Sequence, residues 1–225
     1  MAHGIVYVGS NDHDVYAFSA ATGRVEWIRQ TNGSVESSPV VSGATVYVGS
    51  DDGRIYALNA AHGGILWTRP TGGFVQSSPV VADGLVYVGS NDGRLYALSS
   101  LNGEVRWSRP TGGPVGYSSP TLADGMVFIG STDGDVSRFD AATGRPEWAF
   151  PAGGSVISRP AVADGIVYAG SKDDKLYALS ARNGDLRWSY LTGSSVESSP
   201  AVSGGLVYFG SDDQAIYALN AATGK

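Results

Sequence analysis

Five tryptophans, Trp27, Trp67, Trp107, Trp148 and Trp188, stand 40, 40, 41 and 40 residues apart, and this beat constrains the chain more than any other feature. A fixed period of this length marks a repeat architecture, in which one supersecondary unit buries its apolar face only by stacking on the next copy. A Gly-Ser pair keeps the same beat at Gly9-Ser10, Gly49-Ser50, Gly89-Ser90, Gly130-Ser131, Gly170-Ser171 and Gly210-Ser211, so six copies of one half-unit accompany five tryptophans. The copies are close: Val-Tyr-Val-Gly-Ser occurs three times and Tyr-Ala-Leu four times. Recent duplication and construction from a consensus both produce such likeness.

Ser77 to Trp107 serves as the reference repeat. Ser77-Ser78-Pro79-Val80-Val81-Ala82 is a short apolar run, Asp83-Gly84 a two-residue turn signal, and Leu85-Val86-Tyr87-Val88-Gly89-Ser90 a second β-rich run, which together predict a tight hairpin. Asn91-Asp92-Gly93 turns the chain into Arg94 to Leu98, and Ser99 to Gly103 turns it into Glu104 to Trp107. Four antiparallel strands, A to D, result, and nothing has helical spacing over ten residues. Forty residues per four strands is the pattern of a β-propeller, whose four-stranded blades pack face to face around a central channel. The prediction is therefore an all-β fold with Trp27, Trp67, Trp107, Trp148 and Trp188 as structural wedges between blades.

Composition narrows function by exclusion. A hydrophobic fraction of 42% supports a sizeable core. No apolar run reaches the roughly 18 residues of a membrane helix. The N-terminal stretch Met1 to Tyr7 runs almost directly into a strand pattern with no signal peptide ahead of it. The expectation is a soluble chain without membrane insertion. The absence of cysteine removes disulfides, thiolate metal sites and thiol nucleophiles, while leaving the compartment open. A formal charge of −6 without a Lys/Arg cluster disfavours nucleic acid as a partner.

The stretch Ala17-Phe18-Ser19-Ala20-Ala21-Thr22-Gly23-Arg24-Val25-Glu26-Trp27 resembles the tryptophan-docking motif of the pyrroloquinoline-quinone-type (PQQ-like) β-propellers, Ala-x-Asp-x-x-Thr-Gly-Lys-x-x-Trp. The likeness recurs along the whole chain. Asp140 keeps the family's acidic residue, and Ser19, Asn59, Ser99, Ser180 and Asn220 replace it with groups that also accept a turn hydrogen bond. The resemblance implies two kinds of relative. Quinoprotein dehydrogenases use eight blades, PQQ, calcium, a catalytic Asp and usually a vicinal Cys pair; this chain is short for them, lacks Cys and shows no long loop to floor a cofactor. The non-catalytic branch includes the propeller lipoprotein of outer-membrane assembly and the sensor propellers attached to bacterial kinases, which bind proteins or ligands through propeller faces. That branch implies an exported, extracytoplasmic bacterial setting.

No catalytic or metal constellation is evident. His3, His13 and His62 occupy a terminus and two different turns, without the convergence of a metal site or triad. Turns such as Asp51-Asp52-Gly53, Asp133-Gly134-Asp135 and Asp212-Asp213 lack the twelve-residue span and closing Glu of a calcium loop and are taken as hairpin turns. B-to-C turns and D-to-A connections share one end of each blade, so that end collects the Asp-rich turns with Glu36 and Glu197, partly offset by Arg54, Arg94 and Lys175. It should be the more acidic side, able to attract a basic partner or a cation. Departures from the repeat are the better guide to a site. The position before Ser-Ser-Pro reads Glu36, Gln76, Tyr117, Ile157 and Glu197, and Ser78 of the third repeat becomes Arg159 in the fifth. Glu36, Gln76, Tyr117, Arg159 and Glu197 are accordingly the candidate pocket-lining residues at the channel mouth, with no cofactor, metal or catalytic residue assigned. Ser137-Arg138, where other repeats have Tyr-Ala, is a second departure.

Aligned on the repeat, Met1 falls at the Val41 position and Lys225 at that of Arg24. The chain thus reads as one 1–225 domain of six blade positions, the first lacking strand A and the last lacking strand D. A fragment of a longer propeller, a six-bladed ring with an imperfect seam, and a homo-oligomer sharing its unpaired terminal edges all fit this count. The leading functional expectation is a non-catalytic binding or scaffold module for a protein or small ligand. A PQQ-binding quinoprotein fragment that holds the anionic cofactor near Arg159 and a model propeller whose only property is folding are the alternatives.

Overall fold

The computed structural model describes Ala2 and residues 4–225. Among these residues there is no helix, and the strands form six antiparallel sheets. The first holds β1 (Ile5–Gly9), β2 (Asp14–Ser19) and β3 (Val25–Gln30). The second holds β4 (Val40–Ser42), β5 (Thr45–Ser50), β6 (Arg54–Asn59) and β7 (Ile65–Pro70), and the third β8 (Val80–Ala82), β9 (Leu85–Ser90), β10 (Arg94–Ser99) and β11 (Val105–Pro110). The fourth comprises β12 (Thr121–Ala123), β13 (Met126–Gly130), β14 (Asp135–Asp140) and β15 (Pro146–Pro151), and the fifth β16 (Ala161–Ala163), β17 (Ile166–Gly170), β18 (Lys175–Ser180) and β19 (Leu186–Leu191). The sixth holds β20 (Ala201–Ser203), β21 (Leu206–Gly210) and β22 (Ile216–Asn220). Each sheet is a meander in chain order, and the first and last have three strands where the others have four. Two compact units, Met1–Arg109 and Pro110–Lys225, contain three sheets each.

Local chemistry explains the meander. Asp83 and Gly84 both take positive φ, 50° and 74°, the type I′ geometry whose twist matches the strands it joins. At the next turn Gly93 has φ 78°, and His13, Asp174 and Gln214 hold the corresponding left-handed position in other sheets. The inner strand is shorter than the sequence pattern implies, Val80–Ala82 rather than Ser77 to Ala82. Pro79 has no N–H for a ladder, and Ser77 turns its hydroxyl inward to accept the Gly89 N–H at 3.1 Å, so a side chain replaces strand pairing there. The same bond joins Gly49 to Ser37 at 3.1 Å, Gly130 to Ser118 at 2.9 Å, Gly170 to Ser158 at 3.0 Å and Gly210 to Ser198 at 2.7 Å. The outer strand runs further than its pattern, to Pro110, and Pro70 and Pro151 close their strands likewise. An outermost edge tolerates proline because no neighbour needs its N–H.

Successive sheets pack face to face inside each unit. In the first, Val15, Ala17 and Trp27 meet Val46, Val48, Tyr56 and Leu58 of the second sheet. Tyr47, Ile55, Ala57 and Trp67 in turn meet Val86, Val88 and Leu98 of the third. In the other unit Phe128 and Val136 meet Val167, Ala169, Tyr177 and Leu179, and Tyr168, Leu176 and Ala178 meet Val207, Phe209 and Leu219. Strands buried on both faces account for the near-continuous apolar runs of the B and C segments. The inner strands β4 and β8 approach one another, as do β12, β16 and β20. Gly49 explains the Gly-Ser beat: a Cβ there would lie 2.3 Å from the Val75 carbonyl oxygen, so only glycine lets the connection pack onto the strand end.

Candidate functional site

The tryptophans are fixed by hydrogen bonds as well as by burial. Trp27 Nε1 donates to the Ala60 carbonyl at 2.9 Å, Trp67 to Ser100 at 3.0 Å, Trp148 to Ala181 at 3.2 Å and Trp188 to Ala221 at 3.0 Å, each bond reaching the C-to-D turn of the following sheet. The acceptor carbonyls of Ala60, Ser100 and Ala221 also receive the hydroxyls of Tyr7, Tyr47 and Tyr168, at 3.0, 3.0 and 2.9 Å. Each tyrosine ring lies 5.7 to 5.9 Å from its tryptophan. Trp107 pairs with Tyr87 at 5.8 Å in the same way. In the fourth sheet the aromatic is Phe128, which has no hydroxyl, and Arg138 supplies the missing donor: its Nη1 reaches the Ala181 carbonyl at 2.9 Å and also bonds the Arg182 carbonyl. The Ser137-Arg138 departure is therefore a structural substitution. Turn acceptors behave as the motif requires, with Asp140, Asn220, Ser19 and Asn59 each taking a backbone N–H of their own turn.

The Asp-rich turns are likewise engaged. Asp92 Oδ2 accepts the Tyr96 hydroxyl at 2.6 Å and the Gly72 N–H at 2.9 Å, tying the B-to-C turn to the connection ahead of it. Asp213 does the same with Tyr217 at 2.6 Å and Gly193 at 2.8 Å, and Asp52 with Tyr56 and Asn32. Burial, reinforced by the Asp92 hydrogen bond, pushes the Tyr96 hydroxyl up to about 12. Among the described residues no three His, Cys, Asp or Glu side chains converge on a point where a metal ion fits. Asp52, Asp92 and Asp213 are committed to tyrosine hydroxyls and backbone N–H groups. His13 sits in a B-to-C turn and His62 in a C-to-D turn, where its Nδ1 accepts the Gly64 N–H at 3.1 Å; His3 lies outside the described residues.

The five candidate rim residues all precede or open an inner strand, three of them in one unit and two in the other. In the first unit Glu36 and Gln76 come together: Gln76 Nε2 donates to Glu36 Oε2 at 3.4 Å and receives Asn91 Nδ2 on its Oε1 at 3.0 Å. Asp51 joins this cluster, and burial followed by the Glu36 charge raises its carboxyl above the ordinary value. In the second unit Glu197 pairs with Lys172 at 2.8 Å. Arg159 donates its Nε to Thr121 Oγ1 at 3.1 Å and its backbone N–H to Ser199 Oγ at 3.0 Å. Tyr117 is exposed. Sequence reasoning placed the Asp51 turn at the same end as Glu36 but missed Asn91 and Lys172. A signal was present, because the B-to-C turn position also diverges, reading Asn11, Asp51, Asn91, Thr132, Lys172 and Asp212. Arg54 and Arg94 lean onto Thr68 and Ser108, and Lys175 pairs with Asp173 at 3.2 Å, so these cations serve their own sheets.

Comparison with known proteins agrees with this architecture. A family profile described as outer membrane protein assembly factor BamB matches residues 1–119 and again 109–225. The crystal structure of BamB from Moraxella catarrhalis superposes with a TM-score of 0.85 at 23% identity, over 99% of this chain and 72% of that one. The computationally designed protein Ika8 superposes with a TM-score of 0.86 at 19% identity, over 97% of this chain and 68% of its own. No curated protein sequence matches the chain. At these identities the structural likeness speaks to fold, which is that of a β-propeller built from PQQ-like repeats. Since the profile spans the sequence from end to end, the chain belongs to the family of the outer membrane protein assembly factor BamB.

Proposed function

We propose that the chain is a non-catalytic interaction module whose six sheets serve as six blade positions and whose rim, at the start of the inner strands, holds a protein partner. One observation carries this reading. Ser37, Ser77, Ser118, Ser158 and Ser198 are identical and locked onto strand glycines, while the residue immediately before each reads Glu36, Gln76, Tyr117, Ile157 and Glu197. A framework held constant beneath a varied position, exposed at Glu36, Tyr117 and Glu197 and half-buried at Gln76 and Ile157, is how a scaffold presents a specific surface. Exposed Tyr117 offers a broad amphipathic ring, Arg159 a cation that still has free guanidinium donors, and Glu36 and Glu197 carboxylates at the margin. By analogy with its family, the partner is a component of outer-membrane protein assembly.

Site-specific photo-crosslinking tests this proposal. A benzoylphenylalanine placed at Tyr117, at Glu36 or at Leu101 is exposed to detergent-solubilised outer membranes. Leu101 is 87% exposed but lies in a C-to-D turn, at the other end of the strands. A discrete adduct from Tyr117 that is lost when Arg159→Glu is added, a discrete adduct from Glu36, and none from Leu101 are expected. Equal labelling from all three positions, or none from the rim, would overturn the proposal.

A further inference from the structure

Between the fourth and fifth sheets, inside the unit Pro110–Lys225, lies a cavity of about 220 Å³. It sits at the end of the strands that carries the A-to-B and C-to-D turns, opposite the candidate rim. Met126, Phe128 and Val162 give it an apolar wall, and Asp124 and Arg182, both exposed, stand at its margin. Arg138 lines it from β14. The two arginines reach the cavity from opposite sheets, and neither belongs to the repeat. Arg138 stands where five other copies have alanine, and Arg182 where four have alanine and one leucine. Met126 is a third departure, at a place held elsewhere by Ile, Thr or Leu. All three fall on this one joint.

Arg138 is held in place with only part of its guanidinium spent. Nη1 donates to the Ala181 carbonyl at 2.9 Å and to the Arg182 carbonyl, and Cζ stands 6.0 Å from the centroid of the Phe128 ring. Nε is buried and has no hydrogen-bond partner among the described residues. A tyrosine hydroxyl does the same structural work in the second and fifth sheets without leaving a donor over, so the carbonyl bond alone does not account for an arginine here. The Nε and Nη2 edge of a guanidinium matches the two oxygens of a carboxylate. The geometry points to a binding site for a carboxylate on a short apolar tail, the carboxylate on the free edge of Arg138 and the tail against Met126, Phe128 and Val162. Against the single carboxylate of Asp124, the two arginines leave the cavity with a positive balance that favours an anion. Its volume is below the roughly 300–1,000 Å³ of sites for drug-sized ligands, which limits the tail to a few carbons, and the flexible Met126 side chain adapts to its shape.

The test follows the Arg138 Nε–H resonance in nitrogen–proton correlation spectra, assigned by its loss in Arg138→Lys, during titration with isovalerate as a free acid and N-acetyl-leucine as the mimic of a chain terminus. A saturable shift with either supports the site, and the tighter of the two identifies the source of the carboxylate. Isovaleramide, which keeps the tail and lacks the charge, should produce no saturable shift, and acetate, which lacks the tail, should bind about tenfold more weakly or worse. Arg182→Gln, at an exposed side chain, should weaken binding by about two- to fivefold. Phe128→Tyr combined with Arg138→Ala recreates the Tyr–Ala pair of the second and fifth sheets, so it keeps the bond to Ala181 while removing the cation. Followed through the backbone resonances around Met126 and Val162, this folded double variant should lose binding by about tenfold or more. Absence of a saturable shift with both carboxylates, equal binding of isovaleramide, or undiminished binding by the double variant would each overturn the proposal.

Discussion

Gly103→Ala, read together with Trp67→Ala, probes the joint between neighbouring sheets at its most sensitive point. Gly103 has φ 67°, a left-handed conformation that costs an alanine about 1–2 kcal/mol. A Cβ there would stand 2.5 Å from Cε3 and 2.8 Å from Cδ2 of Trp67, against the roughly 3.5–4.0 Å of a comfortable carbon contact. The ring cannot swing away freely, because Nε1 is bonded to the Ser100 carbonyl at 3.0 Å and Tyr47 lies 5.8 Å from it on the same sheet. Overpacking of this kind adds about 1–3 kcal/mol, so Gly103→Ala should destabilise by about 2–5 kcal/mol. Trp67→Ala alone should cost about 3–5 kcal/mol through lost burial and the cavity left behind. With the ring gone, only the backbone part of the Gly103→Ala penalty remains, and the double variant should be about 1–3 kcal/mol more stable than the sum of the singles predicts. Urea unfolding followed by far-UV circular dichroism measures all four chains, and a common slope against denaturant is the condition for comparing them. Additivity within about 0.5 kcal/mol would mean that residue 103 does not press on the ring, and the argument for glycine at this position would fall.

Three further perturbations have equally definite outcomes. Ser77→Ala strands the buried Gly89 N–H and should lower stability by about 1–3 kcal/mol in the same urea assay; no loss would show that the inner strand does not depend on this bond. Arg138→Ala removes the donor that stands in for a tyrosine hydroxyl and should cost about 1.5–3 kcal/mol, of which Phe128→Tyr in the same chain should restore about 1 kcal/mol; absence of rescue would contradict the substitution account. The Tyr96 hydroxyl, ordinarily near 10 and held up to about 12 by burial and then by Asp92, makes folding lose stability at alkaline pH. Above about pH 10 the unfolded chain releases this proton while the folded chain keeps it, so the melting temperature should be flat below pH 10 and fall as pH rises towards 12, with a shallower fall in Tyr96→Phe. An unchanged melting temperature between pH 10 and 11.5 would refute that assignment.

Much of the architecture was legible because its causes are local. Type I′ turns need positive φ at two residues and Asp83-Gly84 supplies them, so the hairpin of β8 and β9 could be read to within a residue on its second strand. The inner strand was overextended because Ser77-Ser78-Pro79 looks like strand by composition, and only the three-dimensional structure shows the serine hydroxyl taking the place of a ladder bond. The role of Arg138 was hidden for a different reason. It compensates a change at Phe128, ten residues away in sequence but on the paired strand, and the two positions are register partners across β13 and β14. The side-chain contacts of the candidate rim residues were harder to read. Divergence at Glu36, Gln76 and Glu197 pointed to the surface, but their partners Asn91 and Lys172 belong to turns at an offset of about half a repeat, where no single-repeat alignment places them side by side.

In the function proposed above, the chemistry-bearing side chains hold the sheets together and the chain binds a partner without catalysing a reaction. Titration of PQQ with calcium, followed by thermal shift and by dye-linked alcohol oxidation, is the decisive measurement. The expected result is a melting temperature that does not move and no oxidation above the rate without protein. Stabilisation by several degrees at stoichiometric PQQ, accompanied by alcohol-dependent dye reduction, would contradict it.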